Sequence, residues 1–148
     1  MSNNINLRPA TKDDAAILAD MNQQLILDEG SSNGMSLEDL EQRMTKWLSA
    51  NREGVIVERG DDIIGYMLFW RVEDEFYPYK DSIYIRQFFI QPSFRRRGIG
   101  QVAFDRIVEE FVDEGVALTL DVLESNPEGK AFWAKLGFVE YHTTMRRD

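Results

Sequence analysis

The residues best suited to chemistry lie in the run Arg95-Arg96-Arg97-Gly98-Ile99-Gly100. Guanidinium groups and glycines there precede a stretch in which apolar residues return at helical spacing: Ile99, Ala103, Ile107 and Phe111. A helix N-terminus presents unpaired backbone N–H groups and a partial positive charge. Glycines let a ligand approach the backbone closely. The combination suits a pyrophosphate or a similar anion. Its spacing is neither that of a P-loop, which needs Gly-Lys before Ser or Thr, nor that of a Gly-x-Gly-x-x-Gly dinucleotide turn.

These residues need elements to hold them. Residues 83–90 are rich in β-branched and aromatic side chains and predict a buried strand, ended by Pro92. The helix opening at Ile99 carries Gln101, Asp105, Arg106, Glu109 and Glu110 on its wet side. Upstream, residues 5–8 predict a first strand. Thr11 and Asp14 predict a capping pair for a helix running to about Asp28, and Ser36 caps a second helix to about Leu48. Strands are predicted at 55–57 and 63–72, separated by a turn at Gly60-Asp61 and followed by an acidic, aromatic loop over 73–81. Residues 116–122 predict another strand. Asn126 caps a short helix with Pro127 first and Gly137 as its stop. A last strand is predicted at 138–145, where apolar and polar residues alternate. The order is β-α-α-β-β-β-α-β-α-β, an α+β chain with a mixed sheet.

Composition narrows the function classes. The 148 residues include 17 Lys and Arg against 26 Asp and Glu, a net charge of −9, with 43% hydrophobic residues, so one folded domain over 1–148 is expected. The acidic balance argues against nucleic-acid partners. The absence of cysteine removes disulfides and thiol nucleophiles, and a single histidine leaves no metal site to expect. No apolar run approaches the ~20 residues of a membrane helix, and residues 1–6 show no secretory pattern, so a soluble cytoplasmic protein is expected.

Two motifs resemble one family. Arg95-x-x-Gly98-x-Gly100 after a strand resembles the Gln/Arg-x-x-Gly-x-Gly/Ala signature of the Gcn5-related N-acetyltransferases (GNAT). Asn126 with Phe132-Trp133-Ala134-Lys135-Leu136-Gly137-Phe138 resembles that family's later Asn…Phe-Tyr-Glu-Lys-Leu-Gly-Phe segment. The resemblance implies a mixed sheet of six to seven strands with about four helices. It also implies acetyl-CoA as cosubstrate and a homodimer as a common assembly. By the same resemblance, Arg95, Arg96, Arg97, Gly98, Ile99 and Gly100 would hold the pyrophosphate. Phe88, Phe89 and Ile90 would pair with the pantetheine arm through their backbone, beside Asn126 and Trp133.

Acetyl transfer to an amine requires removal of a proton from the amine and a donor for the oxygen that gains charge. In some family members an acidic residue at the position of Asp121 is the base; the alternative is a solvated or ion-paired face residue. The strand Ile83-Tyr84-Ile85-Arg86-Gln87-Phe88-Phe89-Ile90 resembles the polyamine-acetylating branch, but Arg86 replaces its glutamate. Arg86 is read either as a binder of a substrate anion or as the ion-pair partner of an acidic neighbour such as Asp121. Trp133, read as packing in the core or against the cofactor, stands where many members have a proton-donating tyrosine, which leaves Tyr84 or Tyr141 to replace it, or the thiolate to leave unaided. Asp28 and Glu29, with Glu73, Asp74 and Glu75, would either draw a cationic amine or form solvated charge runs. Tyr77, with Phe76 and Tyr79, would either cover it or anchor the loop, and His142 is read as structural.

The expected function is N-acetylation of a small amine by direct attack, the acceptor being zwitterionic and amino-acid-like. The alternatives are a protein or peptide N-acetyltransferase and a non-catalytic acyl-CoA-binding sensor or interaction module.

Overall fold

The computed structural model describes residues 4–50, 52–73, 81–95 and 97–148. The chain runs β1 (Asn6–Pro9), α1 (Ala15–Asp28), α2 (Leu37–Ser49), β2 (Glu53–Arg59), β3 (Asp62–Glu73), β4 (Asp81–Ile90), α3 (Ile99–Phe111), β5 (Ala117–Leu120) and α4 (Pro127–Lys135). The strands form one sheet in the order β1-β2-β3-β4-β5, antiparallel as far as β4 and parallel between β4 and β5. A parallel pair needs a crossover, and α3 supplies it.

Local chemistry explains the element ends. Thr11 Oγ1 accepts from the Asp13 N–H, and the Asp14 carboxylate accepts from the Thr11 N–H at 2.8 Å. Arg8 then donates two hydrogen bonds to that carboxylate, both at 3.0 Å, tying β1 to the start of α1. Ser36 and Asp39 exchange the same reciprocal pair at α2. Gly137 follows α4 at φ 95°, a left-handed stop.

The sheet separates two apolar layers. Ile83, Ile85 and Ile90 of β4 pack with Ile99, Ala103, Phe104 and Ile107 of α3 on one face. Tyr66, Leu68 and Phe89 pack with Leu18, Met21 and Met44 of α1 and α2 on the other. Gly65 lets β3 and β4 come together: a Cβ there would run into the Phe89 carbonyl oxygen.

The four helices are as predicted, but the sheet has five strands among the described residues, not six or seven. The difference falls at 138–145, which forms no strand. Val139, Tyr141 and Met145 are 84%, 78% and 89% exposed. Alternation records side-chain character only; a strand also needs a neighbouring edge, and this segment meets none here. Phe138 alone is anchored, against the rings of Phe104 and Trp133.

Candidate active site

The site begins where the sheet opens. β5 pairs with β4 only along Ser82, Ile83, Tyr84 and Ile85, so β4 continues to Ile90 without a β5 neighbour. At the same point β4 carries a bulge. Leu68 pairs with Gln87 and Phe69 with Ile85, which leaves Arg86 as an extra residue. The insertion reverses the alternation. Ile83 and Ile85 face α3 before it, and Phe88 and Ile90 do so after it. Between the parting strands lies a cavity of about 520 Å3, bounded by the end of α1, the far half of β4, the start of α3, residues 120–122 and α4.

One end of this cavity is the first turn of α3. Gly98 takes φ 76°, a left-handed conformation that glycine adopts without strain, and no side chain caps the helix. The first intrahelical bond runs from the Val102 N–H to the Gly98 carbonyl, so the N–H groups of Ile99, Gly100 and Gln101 lie ahead of the helical ladder. Gly98 and Gly100 line the cavity. A Cβ on Gly100 would sit 3.2 Å from Phe132 Cε1. The Ile99 side chain turns into the core, at 1% exposure.

The arginines of this loop do different things. Arg95 donates from Nε to the Ile90 carbonyl at 2.6 Å, donates from Nη2 to the Asp28 carboxylate, and lies 5.2 Å above the Phe89 ring. It braces the turn against α1. Arg97 is exposed. Arg96 and Tyr77 lie outside the described residues, as do Asp74, Glu75, Phe76 and Tyr79.

Aromatic rings line the α4 wall. Phe88 and Phe132 stack at 5.9 Å, and Trp133 contacts Phe88, Phe104, Phe132 and Phe138, so it belongs to both the core and the cavity. Asn126 caps α4, its Oδ1 accepting from the Gly129 N–H at 3.0 Å. Ser125 beside it donates from Oγ to the Glu29 carbonyl at 2.8 Å, joining the α4 side to the end of α1.

The opposite wall carries the ionisable groups. Tyr84 donates its hydroxyl proton to Asp121 Oδ2 at 2.7 Å. Burial, that bond and the Asp121 charge push the Tyr84 phenol up to about 12. Burial raises the Glu29 carboxyl, opposed by the Arg86 charge and helped by Asp28. Among the described residues no ion pair joins Arg86 to Asp121, whose carboxylate accepts from Tyr84. Arg86 instead stands 5.4 Å above the Trp47 ring. Asp28 and Glu29 both line the cavity, and Asp28 is engaged by Arg95. Tyr141 and His142 are exposed and lie against each other, outside the cavity lining.

Sequence reading missed Arg43, Asn22, Trp47 and Trp70. Arg43 donates to Asn22 Oδ1 at 3.0 Å and lies 4.5 Å above Trp47. Trp47, Trp70 and Tyr84 form a ring series at 5.8 and 5.7 Å. The only sequence signal was Arg43 and Trp47 four apart on one helix face.

The sequence profile described as "Acetyltransferase (GNAT) family" matches residues 20–138. The chain belongs to the GNAT acetyltransferase family. It is therefore an N-acetyltransferase of a family that uses acetyl-CoA. No curated protein matches the sequence. Solved structures share the GNAT fold. A possible acetyltransferase from Clostridium difficile 630 is 19% identical, with 97% of this chain and 96% of that one covered at a TM-score of 0.79. A predicted acetyltransferase from Clostridium acetobutylicum, solved with acetyl-CoA, is 20% identical over 97% and 96% at 0.77. An aminoglycoside N-acetyltransferase in complex with CoA is 17% identical over 97% and 93% at 0.78. Among the described residues no helix of this GNAT chain is long and apolar enough to cross a membrane.

Proposed function

We propose that the chain acetylates the amine of a small molecule by direct attack on acetyl-CoA. The carrying observation is the junction of two features: the edge of β4 beyond Ile85 lacks a β5 partner, and the uncapped start of α3 opens onto the same cavity. The residues fit coenzyme A. Gly98 and Gly100 leave room beside backbone N–H groups for a pyrophosphate. The backbone of Phe88, Phe89 and Ile90 can pair with amide groups of an extended arm, with Asn126, Phe132 and Trp133 along the facing wall. Bound there, acetyl-CoA supplies the activated acetyl group.

The chain's own residues then handle the acceptor. Glu29, its carboxyl raised by burial, takes the proton from the incoming ammonium. Asp121, with one oxygen occupied by Tyr84, orients the amine through the other. Backbone N–H groups of β4 freed from pairing meet the charge that develops on the carbonyl oxygen. As the C–N bond forms the C–S bond breaks, and the coenzyme A thiolate would leave unaided toward solvent, because the Trp133 indole N–H does not ionise at ordinary pH and gives it no proton. With no cysteine in the sequence, direct attack is the simpler course.

The test is calorimetric titration with coenzyme A, followed by thiol release from acetyl-CoA across a panel of small amines. Binding with amine-dependent thiol release supports the reading. Binding without release across the panel removes catalysis, and absence of binding removes the whole proposal.

A further inference from the structure

Arg43 of α2 and Arg86 of β4 reach the same indole from different elements, at 4.5 and 5.4 Å from the Trp47 ring centre. Like charges brought together repel, and an anion between or beside them relieves the repulsion. Among the described residues no carboxylate forms an ion pair with either one. Asp28 is bound to Arg95, and Asp121 accepts from Tyr84. Glu29 is the acidic group near enough to feel Arg86.

A second observation points the same way. Asn22 is fully buried, and its Oδ1 accepts from Arg43 Nη2. Its Nδ2 and the Arg43 Nε are buried with no hydrogen-bond partner. Both orphan atoms are donors. A buried donor without an acceptor is unfavourable and calls for one. Burial and the Arg86 charge also lower the affinity of Arg43 for its own proton.

Resting on the acetyltransferase reading above, we propose that the acceptor is an amine that also bears a carboxylate. Arg86 and Arg43 hold the carboxylate beside Trp47, and the amine faces Glu29 and Asp121. Planar guanidinium groups match a carboxylate through paired hydrogen bonds. The Trp47, Trp70 and Tyr84 rings give the carbon skeleton an aromatic surface. A polycationic acceptor would meet Arg43 and Arg86 charge against charge, so the site is unlike one built for a polyamine.

The experiment measures acetylation of free amino acids, their methyl esters and the matching decarboxylated amines with acetyl-CoA. The acids should exceed their esters in kcat/KM by roughly 10- to 100-fold, the value of hydrogen bonds to a charged group. Arg86→Gln, at an exposed position that does not endanger folding, should collapse this ratio mainly through the KM of the acid, with the KM for acetyl-CoA held. Arg43→Gln should act in the same direction. Equal turnover of acid and ester, or preference for the decarboxylated amine, overturns the carboxylate assignment while the acetyltransferase reading stands. Preference for aminophosphonates over the acids also overturns it, in favour of a phosphoryl group. Absence of coenzyme A binding and of all acetylation overturns the parent reading instead.

Discussion

Tyr84 and Asp121 are joined by a 2.7 Å hydrogen bond across the point where β4 and the segment after β5 part. Tyr84 lies in the last paired stretch of β4, opposite Thr119, and Asp121 is the first residue past β5. The bond therefore fixes Asp121 at the mouth of the cleft.

Removing the hydroxyl with Tyr84→Phe should free Asp121 to rotate. Turnover should fall roughly tenfold, with the KM for acetyl-CoA little changed, and stability should fall by about 1 kcal/mol. Steady-state kinetics and urea unfolding check this together. An unchanged kcat would show that Asp121 does not orient the acceptor.

Glu29 gives a pH test. Its carboxyl is raised by burial, so the folded state holds the proton more tightly than the unfolded chain does. The stability this provides is present below the ordinary glutamate range and is lost as pH rises through the folded value. Near neutral pH the ionised group therefore weakens the fold. Glu29→Gln should raise Tm near neutrality, and the gain should vanish in acid. The same variant should lose the rise of kcat/KM with pH that a deprotonated base gives. A Tm profile parallel to wild type at all pH values would contradict the burial of this group.

Gly98 and Gly100 separate conformation from space. Gly98→Ala puts a Cβ on a left-handed residue and should destabilise by about 1 kcal/mol. Gly100→Val places branches toward Phe132 and the cavity, and should weaken coenzyme A binding by about tenfold or more. Thermal scans and calorimetric titration read the two effects apart.

Gly65→Ala should be severe. Its Cβ meets the Phe89 carbonyl oxygen, which belongs to the backbone of the neighbouring strand and cannot swing aside. A loss of about 3 kcal/mol is expected, measured from the denaturant midpoint. A loss below about 0.5 kcal/mol, ordinary for a surface change, would show that β3 and β4 have room to part.

Short-range chemistry was readable in the sequence. The caps at Thr11, Ser36 and Asn126, the turn at Gly98 and the helix after it all depend on residues within a few positions of one another. The Arg95–Asp28 pair spans 67 residues, and Arg43 meets Asn22 across 21, so neither leaves a local trace. The bulge at Arg86 was hidden because Ile83, Ile85, Phe88 and Ile90 are apolar on either side of it. A run apolar at nearly every position does not show where its alternation slips. The last strand failed for the opposite reason. Its pattern was clear, and its partner edge was missing.

That slipped alternation has a consequence for anyone grafting or trimming this strand. The extra residue takes up a half-period on its own, letting one ribbon present greasy surface to the same helix before and after it while a polar side chain lines the cavity. Deleting position 86 would erase the charge and the bulge together, and would leave Phe88 and Ile90 in phase with α3 because Ile85 and Gln87 already pair with adjacent residues of β3; ironing the bulge flat at constant length is what would throw the rest of the strand onto the wrong face.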